Sequence, residues 1–347
     1  MIRLLNAVRA GAAMLLLGAL AACTTLPPPP QFAQGFTPID AAAQNQAMGR
    51  GVNVLGYDPV WRFPSQARFT PDDFRLIHDA GFQNVRVVLQ AFRHMDGRNR
   101  LDPAWVATLD RMVTAALAQG LTVILDEHDF QKCSHDVAAC RVKLTAFWSQ
   151  IAPRYKDAPN RVIFELLNEP HDPLTDELWN SLLAETLATV RASNPQRNVI
   201  IGPGHWDGLE SLPKLKLPES DRHIIVTFHY YHPMRFTHQG ASWVDKKIEA
   251  LSNIIWGSDA DLALLNKEFD TVKAWSVAHD RPIFLGEFGA YDKAPMEYRV
   301  KWDNAIARAA EARGFSWAYW QFDPDFSLYD FSRHEFVAPI LDALIPK

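Results

Sequence analysis

The pattern that most constrains this chain is a recurrence of short apolar runs rich in β-branched residues, separated by helix-length stretches. The runs are Val52–Leu55, Asn84–Leu89, Thr122–Asp126, Val162–Leu166, Asn198–Ile201, His223–Phe228, Pro282–Gly286 and Ser316–Trp320. Helix-period segments fill most of the intervals: Asp72–Ala80, Pro103–Gln119, Ala139–Tyr155, Asp176–Ser193, Ala260–His279 and Glu297–Arg313. Thr70-Pro71 and Asp102-Pro103 read as helix starts, a capping side chain followed by a proline whose fixed φ suits the first helical position. Strands that alternate with helices require a parallel sheet, and eight such units with little left over predict a closed barrel. The expected fold is α/β, a single TIM (β/α)8 barrel; a doubly wound open sheet is the alternative. The weakest interval is Gly202–Ser220, which holds at best a short helix.

The first residues read differently. Arg3 and Arg9 give a positive region ahead of an apolar stretch, Ala10–Ala19, that is too short to span a bilayer and closes on Leu20-Ala21-Ala22-Cys23. This is the pattern of a signal peptide, and its last four residues resemble the lipobox of bacterial lipoproteins. By that resemblance residues 1–22 are removed and Cys23 is the acylated anchor. Thr24, in place of an acidic residue, favours the outer membrane, facing the periplasm or the cell surface. A plain secreted protein is the alternative. Pro27–Pro30 predict a stiff, extended spacer, so the expected organisation is 1–22 signal peptide, 23–45 acylated cysteine plus Pro-rich spacer, and 46–347 catalytic barrel. In an oxidising compartment Cys133 and Cys140 can close a small disulfide loop; two free buried thiols are the other reading.

In such barrels, chemistry gathers at the C-terminal ends of the strands. Those positions here hold Asn53, Arg86, Glu127-His128, Asn168-Glu169, His229–Tyr231, Glu287 and Trp320. Two glutamates stand out, Glu169 after the fourth run and Glu287 after the seventh. Facing carboxyls across a barrel mouth are what glycosidic cleavage needs, one to protonate the departing oxygen and one to attack or to activate water. With 11 Trp and 20 Phe, the chain also has aromatic faces to stack on neutral sugars.

The segments Leu167-Asn-Glu-Pro-His171, Phe284-Leu-Gly-Glu-Phe-Gly289 and Thr227–Gly240, with its Phe-Thr-His-Gln-Gly run, resemble glycoside hydrolase family 5, the cellulase and β-mannanase family. The resemblance covers essentially the whole domain. It implies a retaining enzyme with Glu169 as acid/base and Glu287 as nucleophile. Arg86 and Tyr231 are then expected to bond Glu287, with Arg86 holding its pKa down. Asn168 is placed for the sugar 2-hydroxyl, His128 and His229 for sugar hydroxyls or the acid/base, and Trp320 for the floor of the cleaved subsite. Glu127 departs from the family pattern and is expected to point outward into a helix-facing salt bridge. His171, His205, His232 and His238 read as loop or supporting histidines, Trp206 as either a sugar platform or a core residue, and residues 235–240 as a loop-shaping run.

The expected substrate is a β-linked glucan, cleaved as by an endo-β-1,4-glucanase; mannan and β-1,3-glucan are the alternatives. No cofactor is expected. A net charge of −5 gives no field for nucleic acid, and the membrane is involved only through the anchor. A monomer is expected. Among other classes, a metal hydrolase would want more than His229-x-x-His232, and neither His-Glu-x-x-His nor Cys-x-x-Cys occurs. A serine hydrolase would want Gly-x-Ser-x-Gly, also absent. A non-catalytic glycan-binding lipoprotein would tolerate loss of one glutamate, yet both are intact.

Overall fold

The computed structural model describes residues 25–347; the signal peptide and Cys23 lie outside them. The eight apolar runs pair in chain order and close on themselves: β1 Arg50–Val54, β2 Asn84–Leu89, β3 Thr122–Glu127, β4 Val162–Glu165, β5 Val199–Ile201, β6 Ile224–Tyr230, β7 Ile283–Phe288 and β8 Ser316–Tyr319. All neighbours are parallel, and β1 pairs with β8 to shut the barrel. Helices Asp73–Asp79, Pro103–Ala118, Val137–Arg154, Asp176–Arg191, Asp259–His279 and Met296–Ala312 wrap the outside. Asp102 caps the second of these with its side chain on the Ala104 amide, with Pro103 at the first helical position. The weak interval after β5 carries no wrapping helix, only a turn at Gly204–Asp207 and a 3₁₀ stretch at Leu209–Lys214.

Alternation along each strand sorts residues into the barrel or out toward the helices. The lower interior is an apolar layer of Ile124, Ile163, Ile200, Ile225, Phe284 and Ala318, all fully buried. Above it lies a polar layer that includes Asn53, Arg86, Asp126, Glu165 and Thr227, each 0% exposed. The functional groups therefore rest on a rigid apolar base.

The segment ahead of β1 departs from the expected spacer. Helix Ala41–Met48, capped by Asp40, plugs the barrel floor, with Ala41 and Met48 packed into the isoleucine layer. Before it, Pro27 and Pro28 present carbonyls to Arg154 at 2.8 and 2.9 Å, Phe32 packs on Tyr155, and Phe36 lies under the Arg197 guanidinium at 4.5 Å. The prolines thus form a strap on the barrel wall. Extended backbone without internal hydrogen bonds leaves its carbonyls free for such donors, which composition alone does not reveal.

Cys133 and Cys140 are bridged, seven residues apart in sequence. The bridge ties the short helix Phe130–His135 after β3 to the helix that follows.

Candidate active site

Arg86 organises the mouth of the barrel. It is fully buried on β2, and its guanidinium donates to Glu165 through both Nε (2.7 Å) and Nη2 (2.9 Å). It further donates to Asn53 Oδ1 (2.8 Å), Glu287 Oε1 (2.8 Å) and Asn168 Oδ1 (2.7 Å), and lies 3.0 Å from Asp126 Oδ2. All five N–H donors are engaged, the condition under which a buried cation is tolerable. Asn53 is fixed in turn by donating to the carbonyls of Gly286, Ala318 and Tyr319.

Glu287 owes its inward aim to a bulge. Strict alternation after Phe284 sends Gly286 inward and Glu287 outward. The β6–β7 register slips between Phe228 and His229, pairing His229 with Glu287, and this extra residue turns the carboxyl into the barrel. Its Oε1 accepts from Arg86 and its Oε2 from the Tyr231 hydroxyl at 2.8 Å. Glu169 follows β4 in a left-handed conformation, φ +43°. Its Oε1 meets His229 Nδ1 at 2.8 Å, and its backbone amide donates to Asp207 Oδ2 at 2.9 Å. One oxygen each of Glu169 and Glu287 lies within 4.8 Å of the other and of His229.

Electrostatics separates the two glutamates. Burial, then Glu287, then Asp207 push the Glu169 carboxyl well above the usual range. Burial pushes Glu287 up as well, opposed by Arg86, His128 and the Tyr231 hydroxyl. Arg86 acts on Glu287 in the expected downward sense, but burial outweighs it and the net direction is upward. Glu169 is pushed up further than Glu287, having no cation in hydrogen-bond contact among the described residues. Burial lowers His128 to about 4 and pushes His229 well below its ordinary value, so both imidazoles are neutral at pH 7.

The remaining expected residues converge here too. Asn168 is held by Arg86 through its oxygen, which leaves its amide nitrogen for a ligand, 3.4 Å from His128 Nε2. His128 Nδ1 meets Asp126 at 2.6 Å, and its ring lies parallel to Trp320, centroids 5.5 Å apart. His171 bonds the Glu169 carbonyl at 2.8 Å. Trp206 is 46% exposed and stacks on His171 at 3.5 Å, so it is not a core tryptophan. Phe236 to Gln239 are buried, with Gln239 bonding Ile254, as a loop-shaping run should be.

Glu127 corrects the sequence reading. It is fully buried, and among the described residues it has no salt bridge; it accepts only the Asp129 amide at 3.1 Å. Burial, then Asp129, hold it well above the usual carboxyl range. Sequence reasoning also passed over Asp126, Glu165 and Asp207. A charge inside an apolar run is costly unless paired, and Arg86 needed partners; that was the available signal for the first two. Tyr57 was missed as well, a half-exposed ring set edge-on to Trp320 at 6.4 Å.

The groups Glu165–Asp207–His229 and Glu169–His229–Glu287 each present ligand atoms within 4.8 Å of one another. Both Glu165 oxygens and both Glu287 oxygens already accept hydrogen bonds from Arg86 or Tyr231. That arrangement suits a proton-sharing carboxyl pair rather than a cation site.

A (β/α)8 barrel with a close carboxyl pair at the ends of β4 and β7, one of them held by a buried arginine, defines a barrel glycoside hydrolase. Residues 45–326 match the model of Cellulase (glycosyl hydrolase family 5). The chain is 30% identical over 319 residues to Endoglucanase H of Acetivibrio thermocellus, covering 88% of this chain but 34% of that protein. It thus spans about a third of that relative's length. Endoglucanase Cel5A of Thermotoga maritima superposes with a TM-score of 0.84 at 37% identity, over 88% of this chain and 100% of that one. The same enzyme solved with mannotriose superposes at 0.83 with 36% identity, over 88% and 100% of the two chains. This chain belongs to glycosyl hydrolase family 5.

Proposed function

We propose that the chain is a retaining endo-β-1,4-glucanase in which Glu169 is the acid/base and Glu287 the nucleophile. The observation that carries this reading is that one oxygen of each carboxyl lies within 4.8 Å of the other. Inverting enzymes need about 6.5–9.5 Å between their carboxyls to hold a water, whereas retaining ones sit near 5–5.5 Å. Glu287, with one oxygen on Arg86 and the other on Tyr231, attacks the anomeric carbon. Glu169, its Oε1 held by His229, gives its proton to the departing oxygen and then removes one from the water that releases the glycosyl-enzyme. Asn168 donates to the 2-hydroxyl, a contact that tightens in the transition state. Trp320 supplies an apolar face beneath the reacting sugar, held in plane by His128.

The substrate assignment draws on the relatives, of which Endoglucanase H and Cel5A are the most telling. Because Cel5A has also been solved with mannotriose, β-mannan is the second substrate reading. Reducing-sugar release from carboxymethyl cellulose, glucomannan, laminarin and xyloglucan tests it. Highest kcat/KM on the β-1,4-glucan supports the proposal; highest kcat/KM on laminarin contradicts it.

We further propose export and tethering through Cys23, supported by the Arg3–Arg9 region, the apolar run and Leu20-Ala21-Ala22-Cys23. Incorporation of labelled palmitate that disappears in Cys23→Ser supports this; label that persists contradicts it. All the site groups come from one chain, so catalysis as a monomer is part of the same proposal.

A further inference from the structure

We infer that Asp207 is a positioning residue for the acid/base, gripping the backbone of Glu169 from the loop after β5; this rests on reading Glu169 as the acid/base. Glu169 sits at φ +43°, a region that costs a side-chain-bearing residue about 1–2 kcal/mol and persists only where its surroundings enforce it. The enforcement is visible. Asp207 Oδ2 accepts the Glu169 amide at 2.9 Å, the Trp206 amide donates to the Pro170 carbonyl at 3.1 Å, and the Trp206 ring stacks on His171 at 3.5 Å. His171 closes the circuit on the Glu169 carbonyl. One loop therefore holds the acid/base residue and both residues after it. His205, Trp206 and Asp207 achieve this by standing in three successive left-handed conformations, φ 57°, 64° and 52°, a costly arrangement for a loop with no role.

The carboxyl of Asp207 also borders the far side of His229. It is 0% exposed, and its oxygen lies within 4.8 Å of ligand atoms of both Glu165 and His229. Asp207 Oδ1, Thr227 Oγ1 and His229 Nε2 are buried, have no hydrogen-bond partner among the described residues and crowd one space, with His229 Nε2 3.6 Å from Asp207 Oδ2. Two glycines keep it open. A Cβ on Gly202 would stand 1.9 Å from Asp207 Oδ1, and one on Gly286 would stand 2.6 Å from Thr227 Oγ1 and 2.9 Å from His229 Nε2. Asp207 is thus built into the wall behind the imidazole that holds Glu169 Oε1. Displacement of a reacting group by about 1 Å costs on the order of 100-fold in rate.

Leaving-group dependence separates positioning from general damage. An oligosaccharide needs protonation of its leaving oxygen, whereas a 2,4-dinitrophenyl β-cellobioside does not. In Asp207→Ala, kcat/KM on cellotetraose is expected to fall about 100-fold while kcat/KM on the dinitrophenyl substrate stays within about 5-fold. Asp207→Asn, whose amide oxygen still accepts the Glu169 N–H, is expected to restore cellotetraose activity to within about 5-fold of the parent. Equal losses on both substrates, or no loss on cellotetraose, would overturn the inference. Should Asp207→Ala not fold, Asp207→Asn decides alone, since a selective loss there contradicts the acceptor role. Glu169→Ala is the control: selective loss on cellotetraose upholds the acid/base reading whatever Asp207 does, and equal loss on both substrates shows that reading itself to be wrong.

Discussion

His229 Nδ1 lies 2.8 Å from Glu169 Oε1 and 3.7 Å from Glu287 Oε2, so one neutral imidazole touches both carboxyls of the pair. In the proposed mechanism the working state has a proton on Glu169 and a charge on Glu287, and pH moves the pair out of it in both directions.

The first expectation is a bell-shaped kcat/KM profile. Glu287 must be ionised, so activity falls as pH drops through its carboxyl pKa, which burial raises. Glu169 must be protonated, so activity falls again as pH rises through its own, higher still. In Glu169→Ala the alkaline limb disappears on an activated aryl glycoside, and azide restores turnover. An unchanged alkaline limb in that variant would assign it to another group.

Arg86 supplies the second. Truncation to Met leaves Glu165, Asp126 and Glu287 buried without their cation, and breaking such a pair costs about 3–5 kcal/mol. Urea unfolding of Arg86→Met reads this directly. A loss under about 1 kcal/mol would mean that those carboxyls do not depend on the guanidinium.

Stability should also depend on pH through Glu165, which burial, opposed by Arg86, raises from 4.5 to about 7. The folded state then binds more protons than the unfolded one between these values, so this contribution is full below about 4.5 and lost as pH rises through about 7. Glu165→Gln removes the titrating group. Its unfolding free energy should fall less steeply than the parent's between pH 4.5 and 7; an identical slope contradicts the assignment.

Much of the barrel was legible because its strands are apolar, β-branched and spaced by amphipathic helices. The eight expected residues gather at the barrel mouth because strand ends place them there, and Cys133 and Cys140 are joined as the short interval between them allows. What escaped has physical reasons. The inward turn of Glu287 depends on a bulge, which parity counting cannot see. Asp207 lies in a segment with no hydrophobic period, and its left-handed run leaves no compositional trace. The strap of Pro27–Phe36 reads as linker because its docking uses backbone carbonyls and single rings on Arg154, Tyr155 and Arg197. Glu127 looked like an outward ion-pair partner, yet it is fully buried and forms no salt bridge among the described residues.

The floor and the mouth should separate by mutation. Met48→Ala hollows the isoleucine layer under the plug helix, with an expected loss of about 2–5 kcal/mol and kcat/KM within about 2-fold of the parent, since the cavity lies at the opposite end from the carboxyls. Calorimetry with parallel kinetics checks this, and a large kcat/KM loss in a folded variant would tie the floor to the site.

The bridge makes a similar claim. Replacing Cys133 and Cys140 by Ala opens a loop spanning seven positions, for which chain entropy gives about 2.5 kcal/mol. Denaturant midpoints of the double variant test it; unchanged stability would show that the bridge does not constrain the unfolded chain.

The central claim is that Glu287 becomes covalently glycosylated. Incubation with 2,4-dinitrophenyl 2-deoxy-2-fluoro-β-cellobioside, followed by peptide mass spectrometry, reads it most directly. The expected result is one fluorocellobiosyl adduct on the peptide containing Glu287, with turnover lost in proportion. An adduct on another residue, or inactivation-free turnover with inverted product, would contradict the account.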